Sequence, residues 1–233
     1  MENLKPNEKR AKNAILFIWI VLALEIVNII SSYLQYELLQ AAANGWDISD
    51  KADANDMREG IVALFYFIAS VISAITFIMW FRRAYYNLHQ RVNYLSHSEG
   101  WAAGCWFVPI VNFYRPYQIM KELYIETKHF FSRKGLAEKI NYTTNYLGLW
   151  WALWIITGII GNFVFRFSLR YADTIEDYIA MTLGQIVVGV LGIPLAFITV
   201  KIIKDYAKIE PLFSEITEDM EDVQTQQDDK LIQ

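Results

Sequence analysis

The sequence predicts an all-α integral membrane protein with four transmembrane helices and a cytoplasmic helical or re-entrant insert between helices 2 and 3. Of its 233 residues, 55% are hydrophobic, and they are concentrated in four runs. Each run is long enough to cross a hydrocarbon core of about 30 Å as a helix. Lys and Arg are concentrated between the second and third runs, which the positive-inside rule assigns to the cytoplasm.

The first apolar run, residues 15–34, follows a polar N-terminus of residues 1–14 that contains four Lys or Arg. A cleaved secretory signal is the competing interpretation of this pattern. The run is longer than the roughly 7–15 apolar residues of a signal core, and it contains Glu25. We therefore predict an uncleaved first span.

The second run, residues 60–80, has no charged residue and follows the acidic residues 35–59, which suit a solvated loop with helical extensions at its ends. The third run, residues 146–169, has three tryptophans near its start, which suit a membrane interface. The fourth, residues 178–203, contains Pro194, which predicts a kinked helix. These runs define a single membrane domain over residues 15–203.

A polar C-terminal tail, residues 204–233, follows the fourth span. It is rich in Asp and Glu, so we predict an acidic and partly disordered segment. The N-terminus, the segment between spans two and three, and the chain from Lys201 onward together hold 17 of the 21 Lys and Arg. This asymmetry predicts that both termini lie in the cytoplasm.

Polar residues inside the predicted spans form one candidate site. Glu25 lies near the bilayer midplane, and an ionisable residue there is a functional candidate. Ser70, Ser73 and Thr157 lie near its level, and Asn28, Asn162 and Gln185 lie further out. The set predicts either a packing network between helices or a path for protons or small solutes. The lack of a second carboxylate or lysine at this depth weakens the proton path, and polar contacts between helices are common in membrane bundles, so packing is favoured. Gly158–Gly161 and Gly184–Gly192 lie inside apolar spans and are interpreted as packing sites.

The insert, residues 81–145, contains the most distinctive residues of the chain. Residues 81–93 are predicted to continue span two as an amphipathic helix whose arginines contact anionic headgroups, each contributing about 1 kcal/mol. The apolar segment 101–114 is too short to span and contains Pro109, so we expect it to be re-entrant or interfacial. The candidate lipid- or partner-binding residues are Arg82, Arg83, Asn87, Trp101, Trp106, Asn112, Arg115 and Tyr117.

The same segment resembles a family signature. Its elements are Arg83–Leu88 (RxxxNL), Trp101, Gly104, Trp106–Phe107, Pro109, Asn112, Arg115–Tyr117, Met120, Glu122 and Leu123. This pattern is similar to that of an uncharacterised bacterial domain-of-unknown-function family of multi-pass membrane proteins. The resemblance covers about residues 64–202 and implies a bacterial inner-membrane protein with four spans. It implies no reaction.

The sequence offers little support for catalysis. No phosphate-binding loop, HExxH or GxSxG motif is present, and Cys105 is the single cysteine. His89, His97 and His129 match no metal-ligand spacing, so we predict no metal and no cofactor. A net charge of −4 argues against a nucleic-acid partner.

We therefore predict a non-enzymatic membrane module that binds lipid or a partner through its insert. The expected partners are the bilayer, including anionic lipids, and a membrane or cytoplasmic protein, with a second copy of the chain as another candidate. The alternative is a subunit of a proton or small-solute transporter that uses Glu25. A membrane enzyme that acts on a lipid or isoprenoid through His89, His97, Asn112 and Arg115 ranks last, because no set of nucleophile, base or metal ligands can be assembled from the sequence.

Overall fold

A computed structural model describes residues 4–170 and 173–216 of the chain. These residues form helices and connecting turns, with no strand among them. The α-helices are α1 (Glu8–Ala43), α2 (Ser49–His89), α3 (Trp101–Gly104), α4 (Arg115–Arg133), α5 (Asn145–Arg170) and α6 (Ile175–Ile209). Short 3-10 helices cover Val111–Phe113, Ala137–Lys139 and Glu210–Glu215. The disorder predicted for the tail falls largely on residues 217–233, which lie outside the described residues.

Four helices have the length and composition of membrane spans: α1, α2, α5, and α6 with the 3-10 turn that follows it. This confirms the all-α prediction with four span-like helices. Each helix is longer than its apolar run. For example, α2 begins at Ser49 and continues through the basic sequence after Trp80 as far as His89. The polar ends of this helix are therefore continuous with its apolar centre.

The described chain divides into two compact units. Unit one contains residues 4–15, 75–149 and 200–216. Unit two contains residues 16–74 and 150–199, apart from the undescribed residues 171 and 172.

Unit one has its own core, built around α4. Pro116 lies in the first turn of α4, where its missing N–H would have no helical partner. One face of α4 buries Ile119, Met120, Leu123 and Phe131 among other side chains, while Lys121 and Lys128 on the other face are exposed. The end of α2 contributes fully buried aromatic and aliphatic side chains to the same unit, including Phe81, Tyr85 and Leu88. The insert is therefore a packed structure rather than a linker.

Unit two contains helix contacts made by polar groups. The Arg58 guanidinium donates to the Ser31 hydroxyl at 2.9 Å and to the Ser31 carbonyl at 3.1 Å. The Ser31 hydroxyl also donates to Glu59. These bonds join α1 to the polar part of α2 that immediately precedes the second apolar run.

Candidate functional site

Three arginines of unit one come together beside the end of the second apolar run. Arg10, in the first turns of α1, donates a hydrogen bond to the Met79 carbonyl of α2 at 3.0 Å. The pKa of Arg10 is lowered, first by burial of its guanidinium and then by the positive charges of Arg83 and Arg82. We call Arg10, Arg82 and Arg83 the arginine cluster. Like charges held this close favour an anionic ligand.

The arginine cluster is incompletely neutralised within the described chain. Arg82 forms an ion pair with Glu99 at 3.2 Å, in which the two side chains are 54% and 39% exposed. Arg83 lies over the Tyr86 ring with its guanidinium carbon 6.0 Å from the ring centre. A solvent-accessible ion pair of this type contributes little stability, so Arg82 can release the Glu99 carboxylate and bind another anion.

An exposed apolar loop, residues 106–114, lies in the same unit. Phe107 is 76% exposed and Ile110 is 75% exposed, and the side chain of Phe113 also faces outward. The Trp106 ring packs edge-on against Phe77, with ring centres 5.7 Å apart. Since Phe77 belongs to the apolar run of α2, the loop lies beside the last turn of that run. Large exposed apolar side chains at this level indicate an interaction surface.

The loop holds Ile110 in a strained backbone conformation. Its φ is 67° and its ψ is −47°. The Val111 N–H donates to the Pro109 carbonyl at 2.8 Å, which closes a three-residue γ-turn of the rare positive-φ type. A β-branched residue in this region costs about 1–3 kcal/mol. The strained residue therefore carries one of the large exposed apolar side chains of the loop.

Replacing Ile110 with glycine therefore tests the strain. We expect Ile110→Gly to raise the free energy of unfolding by about 1 kcal/mol, because glycine adopts positive φ without a clash. Val108→Gly is the matched control, since Val108 lies in the same loop at an ordinary φ. It should lower the free energy of unfolding. Chemical unfolding in detergent micelles measures both, and destabilisation by Ile110→Gly would contradict the strain.

A network of hydrogen bonds fixes the chain around Glu122. The Tyr85 hydroxyl donates to Glu122 Oε2 at 2.5 Å, and the Ser96 N–H donates to Oε1 at 2.7 Å. Arg115 contacts His97 Nε2, which leaves Nδ1 of His97 to donate to Glu122 at 3.2 Å. Burial acts to raise the pKa of Glu122, but the hydrogen bonds from Tyr85, Ser96 and His97 outweigh it and lower the pKa. Arg115 therefore holds the network rather than projecting to headgroups.

This network has the properties of a structural site. Burial and the bond to Glu122 raise the pKa of Tyr85 well above its usual value, so its hydroxyl stays protonated. Burial raises the pKa of Cys105 to about 11, so its thiol is a poor nucleophile. His89 Nε2 lies 2.8 Å from the His97 carbonyl, while His129 pairs with Glu126 at 3.4 Å. Among the described residues, no group of three His, Cys, Asp or Glu could hold a metal ion.

A buried carboxylate forms a separate cluster in unit one. Glu210 accepts hydrogen bonds from the side-chain amides of Asn7, at 2.9 and 3.1 Å, and Asn87, at 2.6 Å. Burial raises the pKa of Glu210 to about 7, although Asn87, Asn7 and the charge of Arg83 act in the opposite direction. Asn87 also binds the backbone of Lys5 through both its oxygen and its nitrogen. It is thus a buried bridge between segments rather than an exposed contact.

The other predicted residues of the insert are placed as follows. Trp101 begins α3 and is exposed. The Trp106 indole N–H donates to the Ala102 carbonyl at 3.1 Å. Asn112 is half-buried, and its buried Oδ1 accepts no hydrogen bond within the described chain. Tyr117 is half-buried in the first turn of α4.

In unit two, Glu25 is buried against α6 and hydrogen-bonded to Tyr66 of α2. Its carboxyl group lies against Gly189 and Gly192, where larger residues would collide with it or touch it. Asn28 and Ser73 are half-buried, and the Ser70 hydroxyl is buried. Asn162 and Gln185 are exposed and make no hydrogen bond to Glu25 within the described chain. Gly184 does pack closely, on Val164, whereas Gly158 and Gly161 have no atom of the described chain within packing range.

Several residues of these clusters were not among the sequence-based candidates. Arg10 was counted only as part of the basic N-terminus, although its place just before the first apolar run puts it at the same end as Arg82. Asn7 and Glu210 are separated by 203 positions, so no local pattern connects them. Tyr66 gave no signal because a tyrosine in an apolar run is also read as a hydrophobic residue.

Comparison with known proteins gives one result. The family described as "Domain of unknown function (DUF4328)" matches residues 44–208. Searches of curated proteins and of solved structures found no match. The matched region contains α2 to α5 and nearly all of α6, including the arginine pair of α2 and the apolar loop. Since the match covers more than half of the chain, the protein belongs to this family of domains of unknown function.

Proposed function

We propose that this protein is a non-enzymatic module of the bacterial inner membrane whose cytoplasmic insert binds anionic phospholipid. The arginine cluster beside the end of an apolar helix run is the observation that carries the proposal. In this arrangement α1, α2, α5 and α6 span the bilayer with both termini in the cytoplasm, as the distribution of Lys and Arg favours.

The position of the cluster suits a phosphate group. Arg10 is bonded to the carbonyl of Met79, the penultimate residue of the apolar run. The end of a spanning run lies at the headgroup level of the bilayer. Guanidinium groups bind phosphate oxygens with two parallel hydrogen bonds, which suits Arg better than Lys at this level.

The apolar loop supports the same orientation. The side chains of Phe107 and Ile110 are so exposed that contact with water would be unfavourable for both. The Trp106 ring packs against Phe77, which places the loop beside the apolar run. Aromatic residues are enriched at the boundary between headgroups and acyl chains. An interfacial or shallowly re-entrant loop would bury these side chains in lipid while the arginines contact phosphate. The observations thus favour a lipid surface over a protein partner.

A charge-matched pair of triple variants tests the proposal. Arg10→Gln, Arg82→Gln and Arg83→Gln together remove the cluster. Lys121→Gln, Lys128→Gln and Lys204→Gln remove the same three charges from exposed positions elsewhere in unit one. With about 1 kcal/mol per contact near the surface, the first triple should weaken selective retention of phosphatidylglycerol over phosphatidylcholine by about 100-fold at low salt.

To measure this selectivity, the protein is reconstituted in vesicles of both lipids and purified in detergent, and the lipid that remains bound is identified. The lysine triple should retain the wild-type preference. Added salt should weaken the wild-type preference, because screening reduces contacts between exposed charges. If the wild type and both triples retained the same lipids, or if the cluster bound a protein in place of lipid, the proposal would be wrong.

A further inference from the structure

Unit one contains a pocket of about 290 Å³ whose lining residues include none of the three arginines of the cluster. Its walls include Pro6, Asn7, Asn87, Ala207, Glu210 and Pro211. Apolar groups form most of the wall, and its polar side chains include those of Asn7, Asn87 and Glu210. A pocket with mostly apolar walls and a few convergent polar groups has the character of a small-molecule site.

Two polar side chains that line this pocket are almost completely buried. Asn7 is 4% exposed and Glu210 is 8% exposed. The Asn7 side-chain nitrogen donates to the Trp80 carbonyl at 3.2 Å and to both carboxylate oxygens of Glu210. These bonds fix the orientation of the amide, and its Oδ1 then has no donor within the described chain. A buried acceptor without a donor is unfavourable and is normally satisfied by a ligand or by water.

The charge of the wall also lacks a direct partner. Within the described chain, Glu210 is hydrogen-bonded to two neutral amides and to no cation. Arg83 acts on it through space, and the hydroxyl of buried Tyr206 lies near its charge. Lys5 lines the pocket, but its ammonium lies over the Tyr86 ring, 4.3 Å from the ring centre. Glu8, at the rim, is paired with Lys12 at 2.6 Å.

We propose that this pocket binds a primary ammonium group carried on a short apolar chain. The ammonium would donate to the Glu210 carboxylate and to Asn7 Oδ1, and the chain would lie against Pro6, Ala207 and Pro211. The three N–H donors of an ammonium match the acceptors that the pocket presents. The ligand can be a free alkylamine or the ethanolamine headgroup of a phospholipid. The pocket is lined by none of the three clustered arginines, although the charge of Arg83 acts on Glu210 through space, and the proposal does not depend on the proposed lipid function.

Calorimetry with the full-length protein in zwitterionic detergent tests the site. At about pH 8, n-pentylammonium should bind, and pentan-1-ol, which has the same chain without the charge, should bind about tenfold more weakly or not at all. Tetramethylammonium, which has the charge but no N–H donor, should also bind weakly. Equal binding of pentan-1-ol or tetramethylammonium, or no binding of n-pentylammonium, would overturn the proposal.

A matched pair of variants locates the binding. Glu210→Gln should weaken the binding of n-pentylammonium by about tenfold or more, because the substitution removes the negative charge. Glu215→Gln, which changes an exposed carboxylate paired with Lys139, should bind as the wild type does. Unchanged binding by Glu210→Gln would place the amine elsewhere and refute the assignment.

The pH dependence of the wild type gives a test that needs no variant. Since the ammonium requires an ionised Glu210, whose pKa is about 7, affinity should be constant above that pH and should fall about tenfold per pH unit below it. Affinity that did not change across this range would contradict the proposal. Competition by nanodiscs of phosphatidylethanolamine, but not of phosphatidylcholine, would identify the headgroup as the source of the amine. Without such competition, the soluble amine is the ligand.

Discussion

Gly189→Ala should lower the free energy of unfolding by about 3 kcal/mol, which is the largest effect that we expect from a single methyl group in this chain. A Cβ at this position would lie 2.6 Å from Glu25 Oε1 and 2.7 Å from Ile29 Cγ1. Separations this short require the neighbouring helix or the carboxyl group to move. Movement of Glu25 would also break its hydrogen bond to Tyr66, leaving a buried polar group without a partner.

Two other glycines provide graded controls for this prediction. A Cβ at Gly192 would lie 3.8 Å from the Glu25 carboxyl carbon, which is ordinary contact, so Gly192→Ala should be close to neutral. A Cβ at Gly158 would meet no atom of the described chain within 4 Å. Gly158→Ala should therefore stabilise α5 by up to about 1 kcal/mol through helix propensity. Unfolding in mixed micelles measures the series, and equal effects at all three positions would contradict the packing of α1 on α6.

Glu210→Gln should remove a pH dependence of stability worth about 3 kcal/mol. The pKa of Glu210 is raised from 4.5 to about 7 in the folded state. The folded chain therefore binds more protons than the unfolded chain between these values. The contribution of Glu210 to the free energy of unfolding is most favourable below about pH 4.5. It decreases as the pH rises to about 7, and above that pH it is constant.

The difference between wild type and Glu210→Gln isolates this contribution. Denaturant unfolding in micelles at about pH 5 and about pH 8 should show that the variant gains stability relative to wild type as the pH rises. Glu215→Gln, at an exposed position, should show no such gain. A pH-independent difference between wild type and Glu210→Gln would show that the carboxyl group is not buried as described.

The span-like helices could be predicted from the sequence because their signal is local. A run such as residues 60–80 contains both its length and its lack of charge within one window. The helix ends could not be predicted so well. The sequence after Trp80 is basic and polar, yet Phe81, Tyr85 and Leu88 on one face of it are fully buried. This face is explained by packing in unit one, which depends on residues far along the chain.

The site residues show the same division. Arg82 and Arg83 could be predicted as a cationic pair at the end of a helix, whereas the contribution of Arg10 depends on α1 lying beside Met79. Arg115 looked equally suited to a headgroup, but His97, which lies 18 positions earlier, binds its guanidinium. Glycine patterns were also insufficient, since Gly189 packs tightly and Gly158 does not. In each case the partner, and not the residue type, determines the role.

Photocrosslinking can show whether anionic lipid binds at the arginine cluster and the apolar loop. The full-length protein would be reconstituted with phosphatidylglycerol that carries a photoreactive group on its headgroup, and the modified peptides would be identified by mass spectrometry. We expect adducts concentrated near residues 8–12, 79–83 and 106–114, which the arginine triple variant loses and the lysine triple variant keeps. Adducts spread evenly over the exposed cations, or equally abundant with a phosphatidylcholine analogue, would contradict this expectation.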